Sequence, residues 1–284
     1  MRHKYRTLLR VSIVEKLLIR DSSPMKLSSA ELAQFDRNGY LAVPEVLRQT
    51  EVIAARAALS TLVQQNAAAP GSLGRLLVQF EPGVQPDLTD ELFVRKLMWF
   101  CEVNPVLAGI AHRHPRIRGI IESLLGANPL LFQDMALIKP PFVGSEKPWH
   151  QDNAYFAVTP LEAVVGVWIA LDAATVANGC MHVLVGEHKL GPRRHYHNRD
   201  CEIVPDRLDP ARAVPVELPA GGALFFAGML PHMTPPNQSP DRRRALQFHY
   251  RSAASQIVSR EEYDRVYAEA DGTPASCAAA APKK

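Results

Sequence analysis

Hydrophobic and polar positions follow two different rhythms along this chain, and the change of rhythm falls near Gly126. Before it, apolar residues recur at helical spacing. Ser28-Ser29-Ala30-Glu31 has the spacing of a capping box, in which the serine takes free amides at the helix start and the glutamate reaches back. Leu32 and Phe35 then share a face, and Asn38-Gly39 supplies the stop. Tyr40–Val43 reads as a short strand and Thr50 to about Gln65 as an alanine- and leucine-rich helix. Pro105 and Pro115 each suit the first turn of a helix, the second running from Pro115 to Leu125 and ending at Gly126. After Gly126 the apolar runs become short: Pro129–Phe132, Met135–Lys139, Ala163–Leu171, Met181–Val185, Ala213–Leu218, Ala223–Ala227 and Ala245–Tyr250. Pro, Gly and Asn clusters separate them, the mark of a sandwich or barrel of short antiparallel strands. Helices first and strands after predict an α+β domain in which helices buttress a β core.

This pattern places one domain over residues 25–267. Residues 1–24 are basic and partly amphipathic, and read as an N-terminal extension: an extra helix, or an over-extended start with Met25 as the initiator. Residues 268–284, rich in small residues, read as a disordered tail. With 47% hydrophobic residues in 284 the chain has material for a proper core. A formal charge of +3 argues against a nucleic-acid partner, which calls for a concentrated basic face. No apolar run reaches the roughly 18 to 20 residues that span a bilayer. The four cysteines, at 101, 180, 201 and 277, form no CxxC pair; they exclude a zinc ribbon, show no disulfide framework and point to a reducing, cytoplasmic compartment.

The candidate chemistry starts in PWHQDNAYF, where His150 and Asp152 sit two positions apart. In a strand, residues i and i+2 face the same side, so an imidazole and a carboxylate would be presented together. One such pair in a chain with ten histidines is close to chance. His232, in GGALFFAGMLPHMTPPN, changes the balance, because two histidines and one carboxylate hold a metal and leave positions open, the ligand set of non-haem Fe(II) oxygenases. His112 and His114 flank a helix start, His195 and His197 lie in a charged loop, and His182 and His188 suit strand or loop. Arg243 enters a strand from the run Arg242-Arg243-Arg244, so alternation must turn one arginine inward. An inward guanidinium needs an anion, and its planar fork suits a carboxylate; a dicarboxylate that chelates iron at its other end would meet both demands.

These residues fall in an order that resembles the phytanoyl-CoA dioxygenase (PhyH) family of Fe(II)/2-oxoglutarate-dependent oxygenases, from about Leu27 to Ser252. The likeness is carried by Ile138-Lys139-Pro140-Pro141, Trp149-His150-Gln151-Asp152, the strand Val167–Leu171, Asn178-Gly179, Val185-Gly186-Glu187-His188, and then His232, Asn237, Ser239 and Arg243-Arg244-Ala245. Val185 and Glu187 depart from the family's PGSH-type segment. The resemblance implies a double-stranded β-helix, that is, a cupin-like jelly roll. It implies His150, Asp152 and His232 as iron ligands, and Arg243 as partner of the distal carboxylate of 2-oxoglutarate, with the Thr234 hydroxyl beside it. Trp168 would line the cosubstrate pocket, with Gln151 and Tyr155 as nearby candidates. It further implies Fe(II), 2-oxoglutarate and O2 as cofactors, and hydroxylation of an unactivated C–H with release of succinate and CO2. Related halogenases carry alanine at the carboxylate position, so Asp152 argues for hydroxylation.

Two other classes fit the same residues: a Zn or Mn isomerase or hydrolase on the same jelly roll, and a non-catalytic binding protein. The basic segment GPRRHYHNRD, residues 191–200, would overhang the pocket and favour an anionic small-molecule substrate, or else form a solvated loop. The stretch 73–83 has no orientation that the sequence determines, and the oligomeric state is not legible.

Overall fold

A computed structural model describes residues 23–83, 91–197, 200–205 and 208–267. The N-terminal extension, but for Ser23 and Pro24, and the whole of the C-terminal tail therefore lie outside the described residues. Helix α1 (Ser29–Asn38) begins at the capping box, with Ser28 and Glu31 bonded reciprocally, and ends where Gly39 adopts φ 79°, a left-handed conformation that a side chain would resist. Strand β1 (Tyr40–Val43) and helix α2 (Gln49–Ala68) follow. Two strands that the apolar pattern did not reveal come next, β2 (Leu77–Phe80) and β3 (Val94–Met98). Helix α3 (Pro105–Arg113) starts on the Asn104 side chain, which accepts the Leu107 amide at 3.0 Å, and α4 (Pro115–Leu125) stops at Gly126.

The chain then turns to strands: β4 (Leu130–Lys139), β5 (Lys147–His150), β6 (Val158–Thr159), β7 (Val164–Ala170), β8 (Met181–Val183), β9 (His195–His197) and β10 (Cys201–Ile203). After these come β11 (Val214–Val216), β12 (Ala223–Ala227), β13 (His232–Thr234), β14 (Arg243–Arg251), β15 (Gln256–Ile257) and a closing helix α5 (Arg260–Tyr267). The runs expected separately at 129–132 and 135–139 are one strand. The polar pair Gln133-Asp134 does not break it, because the Asp134 carboxylate accepts the Cys101 amide at 3.0 Å and Gln133 faces an internal cavity.

Seven strands form the larger sheet in the order β1-β12-β7-β14-β4-β3-β2, and four form the smaller, β11-β8-β13-β5. The two face each other as a jelly roll. Alternation sorts each central strand between two cores. Val165, Val167 and Ile169 of β7, Phe225 of β12, and Leu246 and Phe248 of β14 pack outward against Val52 and Leu59 of α2, Leu107 and Ile110 of α3, and Ile117 and Ile120 of α4. Trp168, Leu224, Phe226 and Ala245 face inward onto Met181, Val183 and Val216 of the smaller sheet. With both faces covered, all seven residues of β7 are buried, which explains its unbroken apolar run. Burial of each large side chain contributes about 1.5–3 kcal/mol, so the helices act as the outer half of the core. Cys101 and Cys180 are free thiols. No helix among the described residues is long and apolar enough to cross a membrane.

Candidate metal centre

Strand β13 lies antiparallel to β5 with His232 directly opposite His150, and their rings stand 4.2 Å apart between centroids. Cross-strand pairing thus joins two histidines that are remote in the chain. Asp152 arrives differently from the expected way. Strand β5 ends at His150, and Asp152 opens a single 3-10 turn over Asp152–Tyr155. Gln151 between them is still extended (φ −109°, ψ 131°), so 150 and 152 keep a common side although the second is no longer in a strand. One Asp152 oxygen, Oδ1, lies 3.3 Å from His150 Nε2 and 3.7 Å from His232 Nε2. Candidate ligand atoms of the three buried residues all fall within 4.8 Å of one another.

The protonation of these groups is set by their neighbours. His150 Nδ1 is 2.8 Å from the Pro148 carbonyl and His232 Nδ1 is 2.9 Å from the Leu230 carbonyl. A carbonyl only accepts, so both rings carry their proton on Nδ1 and turn a bare Nε2 lone pair to the centre, the tautomer a metal requires. Burial pushes His232 down to about 3, so this imidazole is neutral. Burial alone would raise Asp152, but the imidazoles packed around it, His249 first and then His232 and His150, outweigh it and hold the carboxyl well below its usual range.

In the lining of the same cavity, Arg243 is fully buried and pairs with no carboxylate among the described residues. Its Nη1 donates to the Leu137 carbonyl at 3.3 Å, while its Nε has no partner. Burial lowers it to about 10, still charged at neutral pH. Alternation explains why this arginine is the inward one: Arg244, next along β14, points out and makes a two-point pair with Asp172 at 2.8 and 2.9 Å. Lys139, across from Arg243 in the sheet, is pushed to about 6 by burial and then by the Arg243 charge, and its Nζ is tied to the Ser145 and Thr234 carbonyls. An unpaired buried guanidinium is costly, so the cavity beside it fits an anionic ligand. Two free Nε2 atoms, one carboxylate oxygen and this guanidinium are the donor set that an Fe(II) ion and a dicarboxylate would use.

A family model described as phytanoyl-CoA dioxygenase (PhyH) matches residues 35–245. The chain belongs to the PhyH family. It is 31% identical over 164 residues to phytanoyl-CoA dioxygenase domain-containing protein 1 of Mus musculus, an alignment covering 55% of this chain and 56% of that protein. The matched segment thus spans little more than half the length of that relative. Among solved structures, the apo form of the non-heme monooxygenase ThoJ superposes with a TM-score of 0.67 at 27% identity, covering 80% of this chain and 79% of ThoJ. EctD from S. alaskensis, solved with 2-oxoglutarate and 5-hydroxyectoine, shares the fold at a TM-score of 0.66 and 21% identity, covering 84% and 80% of the two chains.

Within this PhyH-family chain the other expected site residues divide. Thr234 and Tyr155 line the cavity, of about 320 Å3, together with the three candidate ligands and Arg243. Gln151 and Trp168 do not. Alternation turns Gln151 away from the centre: its amide donates to the Met229 and Gly191 carbonyls at 2.7 and 3.0 Å, and its Oε1 accepts the Arg193 amide at 2.7 Å. His195 Nε2 accepts the Gln151 backbone amide at 2.9 Å, so this residue fastens the 191–195 segment behind the site. Trp168 stands behind Arg243, its ring 5.2 Å from the guanidinium carbon, and supports that cation from the core.

The basic segment also differs from expectation. Arg193 pairs with Glu187 and Arg194 reaches the Arg265 carbonyl, and neither lines the cavity. What the segment contributes is a carboxylate, Asp200, 2.6 Å from Lys147 and 3.8 Å from Arg95. Asn198 and Arg199 of this segment lie outside the described residues. Besides Arg243 and Lys139, the cavity's cations come from β3 and β5: Arg95, Lys96 and Lys147. Lys96 makes no ion pair among the described residues, and burial pushes its amine down. From the 73–83 stretch, Leu77 and Gln79 line the cavity. Sequence reasoning missed His249, a buried β14 residue whose Nε2 lies 2.7 Å from Asp152 Oδ2. Inward alternation from Arg243 through 245 and 247 to 249 was the available signal.

Proposed function

We propose that this protein is an Fe(II)/2-oxoglutarate-dependent dioxygenase that hydroxylates an unactivated C–H of a small organic substrate. One observation carries the proposal: a buried, unpaired guanidinium shares a cavity with two Nε2 lone pairs and a carboxylate that converge on one point. His150, Asp152 and His232 would hold the iron; Arg243, with the Thr234 hydroxyl, would hold the distal carboxylate of 2-oxoglutarate. Bound there, ferrous iron with 2-oxoglutarate and O2 supplies oxidative decarboxylation to succinate and CO2 and an oxidant able to take hydrogen from carbon.

The chain's own part is placement and dryness. Met135, Leu137 and Phe156 give the same cavity an apolar lining, which lowers the local dielectric and strengthens charge pairing within it. EctD, on the same fold, was solved with 2-oxoglutarate, in accord with this use of the cavity. A Zn or Mn isomerase or hydrolase would leave Arg243 without a task, and a non-catalytic binding protein with a degenerate site would not keep all three candidate ligands together with the arginine. Arg95, Lys96 and Lys147 outnumber the Asp200 and Glu146 carboxylates beside them in the cavity lining, and favour a substrate that carries an anionic group beside an apolar portion met by Leu77, Met98 and Trp99.

Succinate release tests the proposal. With Fe(II) and 2-oxoglutarate the wild-type protein should form succinate, faster when a suitable substrate is present, while Asp152→Ala should form none. Wild-type-like turnover in Asp152→Ala would refute the assignment. Among candidate substrates, carboxylates or phosphates should stimulate succinate formation more than their neutral esters.

A further inference from the structure

His249 has no part in holding metal or cosubstrate as assigned above, yet it makes the shortest contact to the candidate metal carboxylate that any side chain offers. We propose that His249 is a positioning residue for Asp152: its Nε2–H holds Oδ2, so that Oδ1 alone is presented to the ion. The inference rests on the metal-site assignment and adds to it a fourth residue that acts through the carboxylate.

The geometry is specific. Asp152 Oδ2 faces His249 Nε2 at 2.7 Å and the Gln247 amide at 3.4 Å; that amide also lies 3.1 Å from His249 Nε2, and both side chains stand on the inward side of β14. Oδ1 faces the two histidine Nε2 atoms at 3.3 and 3.7 Å. The two carboxylate oxygens are therefore sorted, one to donors on the larger sheet and one to the metal side. Asp152 needs such a hold because it stands on a short 3-10 turn after β5 has ended, where no ladder of strand hydrogen bonds fixes its direction.

His249 is itself built to point one way. It is buried, and its ring packs with Phe156 at 4.9 Å and Phe132 at 6.2 Å between centroids, the two phenylalanines meeting edge-on at 4.6 Å. Its Nδ1 has no hydrogen-bond partner among the described residues. A neutral ring therefore places its single proton on Nε2, where a carboxylate accepts it, and not on Nδ1, where nothing does. His150 and His232 carry the opposite tautomer, each fixed by a carbonyl at Nδ1. Two rings are set to accept a metal, and the third is set to donate to the metal's carboxylate. Partners of this kind typically change metal affinity by about 10–100-fold.

Mn(II) binding to the full chain, measured by calorimetry without oxygen or substrate, tests the inference apart from turnover. His249→Phe keeps the aromatic packing and removes the donor; His249→Gln restores an N–H donor. His249→Phe should bind Mn(II) about 10–100-fold more weakly than wild type, His249→Gln should recover most of the loss, and the metal-free thermal midpoints should stay close to wild type. Wild-type affinity in His249→Phe, or equal loss in both variants, would overturn the positioning role. If His249→Phe does not fold, His249→Gln compared with His249→Leu decides the same question. Failure of the wild-type protein to bind Mn(II) at all would instead overturn the metal site on which the inference rests.

Discussion

Arg243 shows how far a single residue can be argued. Its side chain is large, charged, fully buried and without a carboxylate partner among the described residues, while its neighbour Arg244 is satisfied by Asp172. A group of this kind is expensive until an anion arrives, so its removal should be felt in cosubstrate binding before it is felt in chemistry. Arg243→Ala should raise the 2-oxoglutarate KM by about 10–100-fold, the effect of losing charge-assisted hydrogen bonds of about 1.5–3 kcal/mol. Arg243→Lys should recover little of it, since an ammonium does not reproduce the planar fork. Succinate formation against 2-oxoglutarate concentration measures both. An unchanged KM in Arg243→Ala would place the distal carboxylate elsewhere. This residue was legible because alternation along β14 is local; His249, on the same face of the same strand, was not, because its meaning depends on where Asp152 lies.

At the scale of elements, two joints hold the site in place. The first is Asp172, which accepts from Arg244 through three bonds of 2.8 to 2.9 Å and pairs with Arg56 of α2 at 2.8 Å, tying helix to sheet. Burial alone would raise its carboxyl, but the Arg244 bonds and the charges of Arg244 and Arg56 win and lower it. A lowered folded value means the stabilisation is complete above the unfolded value of about 3.9 and is lost as pH falls below it. Asp172→Asn should cost about 1–3 kcal/mol at pH 7, and its deficit should shrink on acidification below about pH 4. Urea unfolding at both pH values reads this; an equal deficit at each would contradict the ion-pair account.

The second joint is the turn that carries Asp152. The Asn153 amide donates to the Gly228 carbonyl at 3.0 Å, and a Cβ on Gly228 would stand 2.0 Å from Asn153 Oδ1. Gly228→Ala should therefore destabilise by about 1–3 kcal/mol and weaken metal binding together, through displacement of this turn. Thermal unfolding and Mn(II) titration of the variant would show whether the two losses coincide. Helix α5 braces the same turn, since the Tyr263 hydroxyl donates to the Ala154 carbonyl and Tyr267 packs with Met229. Neither contact is visible in the sequence, because both join residues whose separation along the chain is large and whose local patterns are ordinary.

For the whole molecule, the candidate ligands come from two strands of the smaller sheet and the turn that follows one of them, so an ion bound there would link segments remote in sequence. Binding to the folded state alone raises stability by about 2.7 kcal/mol at a hundredfold excess over Kd. For a domain of this size that corresponds to a thermal midpoint about 5–10 °C higher. Mn(II) should produce such a rise in the wild-type protein and none in Asp152→Ala, measured by scanning fluorimetry. A rise of equal size in the variant would show that the ion binds elsewhere.

The sequence by itself determined the first four helices and the long central strands, though not β2, β3 or the closing helix, and which side of a strand Arg243 and its neighbours face. Capping at Ser28, the proline starts at 105 and 115, and the inward turn of Arg243 follow from neighbours a few bonds away. Family membership was likewise readable from motif order. Only the tertiary structure decided who stands opposite whom: His232 across from His150, His249 against Asp152, Gln151 turned to the loop behind the site, and cations of β3 and β5 added to the cavity in place of the basic segment. The physical reason is that side-chain direction is fixed by the local backbone. Strand partnership is fixed by register and by burial of two faces at once, which depend on the whole chain.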